Sequence, residues 1–206
     1  MIVETVVRGS RFRAWLGRVS DAESAAGALV ERAASGPDAT HHCSAYRVWH
    51  AGRIEEAGFD AGEPGGTAGR PILGALRHAG LVQASCVVSR WFGGVKLGTG
   101  GLARAYGEAA ETAVAAAREA GALVAAEERA VLRVRFEYPL SGAVQRVVAR
   151  FHARGRDSAY GERVELELDV ATESAEAFER ALVEATGARV GIVRHQSRLE
   201  PRSRPL

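Results

Sequence analysis

Toward the C-terminal end of the chain the spacing of apolar residues repeatedly changes period. Val164, Leu166, Leu168 and Val170 alternate with Glu165, Glu167 and Asp169, a period of two that predicts a strand with one buried face. Ala130 to Phe136 alternates in the same way, with Arg133 and Arg135 on the open side. Helical stretches lie between such strands. One is capped by Ser141 and runs through His152; the other is capped by Ser174 and stopped by Gly187 after Thr186. Arg154 to Tyr160 is a weaker strand, joined to 163–170 by a tight turn at Gly161-Glu162, and Arg189 to His195 is the last.

The order of these elements is βαββαβ, the split-βαβ arrangement of ferredoxin-like domains. The first half differs. Glu4 to Val19 predicts one strand or a strand pair, and Ser20-Asp21 then offers an N-cap to an alanine-rich helix over 22–34. His41 to Trp49 predicts a strand, with a turn at Ala51-Gly52. Residues 58–69 hold five glycines and a proline and predict a shaped loop. A short helix opens at Arg70-Pro71 and closes at Gly80, and the strand 82–90 follows. A second glycine-rich loop, 93–101, leads into a helix over 102–120. The chain therefore predicts an α+β protein of two domains, 1–125 and 126–196, followed by a polar tail, 197–206, expected to be disordered.

Composition changes this picture little. The chain has 206 residues, 47% hydrophobic and 25% charged, which suits soluble globular domains. Met1-Ile2-Val3-Glu4 does not resemble a signal peptide, and no apolar run reaches the roughly 20 residues of a membrane helix. A cytoplasmic protein with no membrane partner is expected. Cys43 and Cys86 stand outside any CxxC spacing, and Cys86 lies in an apolar strand, so neither a metal nor a disulfide is expected. The net charge is +2, and Lys96 is the only lysine among 27 cations. A nucleic-acid site would thus be a local patch rather than a global field.

The candidate chemistry sits in the two glycine-rich loops. Each feeds a helix N-terminus, where unpaired N–H groups attract anions. Thr67 and Arg70 mark the first; Lys96, Thr99 and Arg104 mark the second; Arg90 lies between them. Neither loop is a Walker A motif or a GxGxxG, so nucleotide hydrolysis has no support. Asp60 and Glu63 could hold a cation or do acid–base work, but loop acids more often bond backbone amides or pair with arginines such as Arg70 or Arg90. His41, His42 and Cys43 point to alternate sides of a strand, which disfavours a shared metal. Trp91-Phe92 beside the second loop could stack bases, with Phe92 the ring expected to fill the core.

The blocks Asp60-Ala61-Gly62-Glu63-Pro64-Gly65-Gly66-Thr67-Ala68-Gly69-Arg70-Pro71 and Arg90-Trp91-Phe92-Gly93-Gly94-Val95-Lys96-Leu97-Gly98-Thr99-Gly100-Gly101-Leu102-Ala103-Arg104-Ala105-Tyr106-Gly107, preceded by His41-His42-Cys43-Ser44-Ala45-Tyr46, resemble the signature of the YigZ/IMPACT family. The resemblance covers nearly the whole chain. It implies an N-terminal α/β sandwich shared with a ribosomal protein and an elongation-factor domain, and a second elongation-factor-like domain after it. It also implies a translation-linked binding protein whose partner is RNA or a ribosome-associated factor, with no cofactor. Two alternatives stand beside that reading: a regulator that docks on a folded protein partner, and a hydrolase using Asp60, Glu63 and His41. The positions that carry the motif include His41, Asp60, Glu63, Thr67, Arg70, Arg90, Gly93, Gly94, Gly98 and Arg104. Three departures are Ala61, where the family usually has a second aspartate, Trp91, where bacterial relatives often have tyrosine, and Lys96, a position where relatives can carry an apolar residue and which is therefore not taken as essential.

Overall fold

A computed structural model describes residues 1–50, 52–160, 163–195 and 197–201. The chain divides into two compact units, Met1–Leu123 and Val124–Leu206. Both are α+β, built of antiparallel sheet with helices packed on it. Among the described residues no helix is long and apolar enough to cross a membrane.

The first unit has a five-stranded sheet in the order β1-β2-β5-β3-β4. These strands are β1 (Ile2–Val7), β2 (Ser10–Arg18), β3 (His41–His50), β4 (Arg53–Phe59) and β5 (Ala84–Trp91). The N-terminal stretch is therefore a strand pair. Three helices join them: α1 (Ala22–Ala34), α2 (Gly69–His78) and α3 (Gly98–Glu119). Asp21 starts α1 in a capping box, its carboxylate accepting from Ser24 N–H at 2.7 Å.

The period-two pattern sorts the sheet's two faces. Phe12, Ala14 and Leu16 of β2, Cys43 and Ala45 of β3, and Ala84, Cys86 and Val88 of β5 face α2 and α3 and form the main core. Alanines 105, 109, 110, 113 and 117 give α3 a low-profile face that lies close to this layer. On the opposite face α1 packs on β3 and β5, with a small cluster of Val19, Ala25 and Val48.

β4 was not legible as a strand because it is an edge. Arg53, Glu55 and Glu56 interrupt its apolar positions, and Gly58 lowers its strand propensity. That glycine answers a packing need. A Cβ on Gly58 would lie 2.5 Å from the Gly69 carbonyl oxygen, and one on Gly69 would lie 2.3 Å from Phe59 N. The end of β4 and the start of α2 thus cross backbone to backbone, with a glycine on each side.

The second unit contains β6 (Ala126–Phe136), α4 (Ser141–Arg150), β7 (Arg154–Tyr160), β8 (Val164–Ala171), α5 (Ala175–Thr186), β9 (Val190–Arg194) and β10 (Arg198–Pro201). β6 lies beside β8, which lies beside β7, while β9 pairs with β6 on its other side. This is the predicted ferredoxin-like arrangement. Its core sets Leu132, Val134, Leu168 and Val170 against Val144 and Val147 of α4 and Phe178 and Leu182 of α5. Gly187, at φ +59°, ends α5 in the left-handed conformation. The predicted turn at Gly161-Glu162 lies outside the described residues.

One expectation is corrected. Of the tail 197–206 predicted to be disordered, residues 198–201 form β10, which pairs antiparallel with β6 from Arg198↔Arg129 to Pro201↔Ala126, while 202–206 lie outside the described residues. β9 occupies only residues 132–136 of β6, so 126–129 still offer unpaired backbone groups, and the polar tail fills that edge.

Candidate functional site

Asp60 organises the first loop. Its carboxylate accepts the backbone N–H groups of Gly66 at 2.7 Å and of Ala68 and Gly69 at 2.9 Å each. Ala68 is the N-cap of α2 and Gly69 its first residue, so the protein's own carboxylate sits on this helix terminus. Burial alone would raise the Asp60 carboxyl. The three N–H groups outweigh it, with help from the Arg70 charge, and hold the group below the usual aspartate range. Thr67 is buried, and its hydroxyl donates to the Pro64 carbonyl at 2.7 Å. At the start of α2, only Arg70 of the two predicted residues is exposed.

Glu63 is the centre of a buried network. One of its oxygens accepts both from Arg90 Nη1 and from the Tyr106 hydroxyl, each at 2.7 Å. The Glu63 and Arg90 side chains are 3% and 6% exposed. The Arg90 guanidinium also lies 5.7 Å from the Phe12 ring and 5.6 Å from that of Phe92, and its Nε is buried without a partner among the described residues. Register explains the placement: Arg90 stands opposite Phe12 on β2 and opposite His41 on β3. His41 Nδ1 bonds the Ala61 carbonyl at 3.0 Å, and the Cys43 thiol donates to the Asp60 carbonyl at 3.0 Å. Burial pushes that thiol up to about 12. His41, Cys43, Asp60, Glu63, Arg90 and Tyr106 therefore fasten the first loop to β3, β5 and α3.

The second loop leaves its groups open. Leu97 precedes α3, and no side chain caps the helix and no acid stands in its first turn. Phe92, Gly93, Gly94, Val95, Lys96, Thr99 and Gly100 are exposed, as is Arg104. The Arg104 guanidinium lies back over this terminus, its Nη1 3.7 Å from where a Cβ on Gly100 would be. Gly93 holds the loop in place: a Cβ there would come within 1.9 Å of the Gly9 carbonyl carbon. Its N–H donates to Ser10 Oγ at 3.2 Å. Gly94, at φ +86°, turns the chain. α2 and α3 meet near these termini, with Pro71 packed against Gly107.

The structure thus separates the sequence candidates into three groups. Asp60, Glu63, Thr67, His41 and Arg90 lie within the hydrogen-bonded framework. Lys96, Thr99, Arg104 and Arg70 lie on the surface around it. Trp91 belongs with neither, because its side chain points to the opposite face of the sheet, where α1 packs and Gly36 lies against its ring. Phe92, expected in the core, is 49% exposed, since the strand turns out of the sheet into the loop there. Tyr106 was missed as a network member. A tyrosine on the alanine-lined face of a helix, two turns past a glycine loop, was the available signal.

Comparison with known proteins agrees with this architecture. Residues 8–114 match the Impact N-terminal domain, and residues 134–189 match a domain of unknown function, DUF1949. The IMPACT family member YvyE of Bacillus subtilis is 33% identical over 92% of this chain and 85% of its own length. A Haemophilus influenzae IMPACT family member is 31% identical over 93% of this chain and 92% of its own. A crystal structure described only as a hypothetical protein superposes with a TM-score of 0.63 at 26% identity, over 93% of this chain and 92% of that one. The signature loops, the matched domain and relatives aligned over nearly their full length lead to one conclusion: the chain belongs to the IMPACT family.

Proposed function

We propose that this is a translation-linked binding protein that presents the second glycine loop and the start of α3 to RNA, either free or as part of a ribosomal component. The observation that carries the reading is the uncapped α3 terminus with Arg104 folded over it, beside exposed Lys96 and the exposed ring of Phe92. Free helix N–H groups and two cations suit a phosphate, and an exposed aromatic beside them suits an unstacked base. The hydrolase alternative has less support. The Asp60 carboxylate is occupied by three N–H groups, and the Glu63 carboxylate is held by Arg90 and Tyr106. A general base needs a free lone pair within reach of substrate.

The test is the salt dependence of binding to fluorescent single-stranded RNA. Arg90 is unsuitable for charge reversal because it is buried, so the variants are Lys96→Glu and Arg104→Glu. The wild type is expected to bind with an affinity that falls steeply with salt. The double variant should bind at least tenfold more weakly, with a slope smaller by roughly 1–2. Equal affinity and slope in the two proteins would defeat the proposal.

A further inference from the structure

The face of the first sheet turned away from α2 and α3 is only partly covered. α1 has 13 residues and packs on β3 and β5, leaving the sheet to side chains at its border over β2. A groove of about 190 Å³ follows that border, lined among others by Ile2, Arg13, Trp15, Arg32, Val87 and Trp91, with no acid in its walls among the described residues. Guanidinium groups gather on its two indoles. Arg11 and Arg13 lie 4.2 and 5.0 Å from the Trp91 ring, and Arg32 lies 5.4 Å from that of Trp15. Two donors in these walls, Trp91 Nε1 and Arg32 Nε, are buried without an acceptor among the described residues.

An unpaired buried N–H is unfavourable, and two in the wall of one groove call for an acceptor from outside the chain. Access is governed by flexible side chains. Arg11 and Arg13 over Trp91 are 39% and 38% exposed and are held by Glu4 at 3.9 and 3.3 Å. The acids paired with these arginines are Glu4 on Arg11 and Arg13 and Glu31 on Arg32, so among these ion pairs three guanidiniums share two carboxylates. That balance suits a monoanion. Ile2, Val87 and the indoles suit an apolar body, and a volume slightly above the roughly 150 Å³ that accommodates benzene sets its size.

We propose that this groove binds a small apolar carboxylate. Its oxygens accept from Trp91 Nε1, Arg32 Nε and the Arg13 guanidinium, and its ring or branched chain lies against Ile2, Val87 and Trp15. Arg11 and Arg13 swing from Glu4 toward the anion as it enters. The Ser89 hydroxyl takes no part, since it shares a hydrogen bond of 2.8 Å with His42 Nδ1. The site is on the opposite side of the sheet from Glu63, Arg90 and Tyr106, so it stands or falls separately from the RNA reading.

The experiment is fluorine NMR of 4-fluorobenzoate, 4-fluorobenzamide and 4-fluorobenzylamine with the full chain. Saturable broadening is expected for the carboxylate, binding at least about tenfold weaker for the amide, and none for the amine. Trp91→Phe, which keeps a ring but removes the donor, should weaken 4-fluorobenzoate by about tenfold. Glu4→Gln, an exposed change that releases Arg11 and Arg13, should tighten it several-fold. Equal binding of acid and amide would overturn the proposal, as would a Glu4→Gln protein no tighter than wild type. Because Glu4 is exposed, that second outcome does not depend on whether Trp91→Phe folds well.

Discussion

Replacing Glu63 by alanine tests whether the motif is first a structural device. The change leaves Arg90 charged, 6% exposed and without its only hydrogen-bond acceptor among the described residues, and it takes the carboxylate from the Tyr106 hydroxyl, leaving that hydroxyl with the Cys43 thiol. Removing one member of a buried ion pair costs about 3–5 kcal/mol. The hydroxyl's lost bond belongs to the same network, so its cost of about 1 kcal/mol overlaps with that figure rather than adding in full. For a unit of this size each kcal/mol lowers Tm by about 3–6 °C, so a fall of roughly 10–30 °C is expected. Tyr106→Phe, which removes only the hydroxyl, should cost about 1 kcal/mol. The paired change Glu63→Leu with Arg90→Met should recover most of the loss, because no uncompensated charge remains. All three tryptophans, Trp15, Trp49 and Trp91, lie in the first unit, so urea unfolding followed by their fluorescence reports on that unit alone. If Glu63→Ala unfolds within about 1 kcal/mol of wild type, or the apolar pair is no better than the single change, the buried-pair reasoning is wrong.

Three further outcomes follow from the same framework. Gly93→Ala places a Cβ 1.9 Å from Gly9 backbone and should cost at least about 3 kcal/mol, whereas Gly65→Ala meets nothing within 4 Å and should be neutral or slightly stabilising in the same unfolding assay. Asp60 is more acidic folded than unfolded, so its stabilisation is complete above the ordinary aspartate pKa near 3.8 and is lost as pH falls through the lower folded value. Asp60→Asn should be less stable than wild type at pH 6, and the gap should narrow below pH 4 when urea midpoints are compared. Burial pushes both Cys43 and Cys86 up to about 12, so a thiol-reactive disulfide reagent at pH 8 should label neither in the folded chain and both in denaturant. Rapid labelling of the folded protein would mean that this core opens readily.

Much of the architecture was legible because it rests on local pattern. The alternation at 164–170 predicted β8, and the helical runs around it predicted α4 and α5, since strand and helix periods differ and each element buries one face. β4 and β10 escaped for a shared reason. Both are short or charged, and their pairing is decided by a vacant sheet edge that no window of sequence contains. The site divides in the same way. Motif glycines and acids marked the two loops, but residues equally conspicuous in sequence have opposite fates. Arg90 is buried against Glu63, while Arg104 stands exposed over a helix terminus.

The sequence by itself determined the α+β class, the ferredoxin-like order of the second unit and the positions of both glycine loops, because propensity, capping and periodicity act over a few residues. Only the tertiary structure decided what each marked residue does. Cross-strand register set Arg90 between Phe12 and His41, brought Glu63 to it from 27 residues away along the chain, and joined Tyr106 to that same Glu63 across 43 residues. Strand alternation sent Trp91, the very next residue, to the far face and into a different groove. Burial, pairing and accessibility are properties of neighbours in space, and those neighbours come from distant parts of the chain.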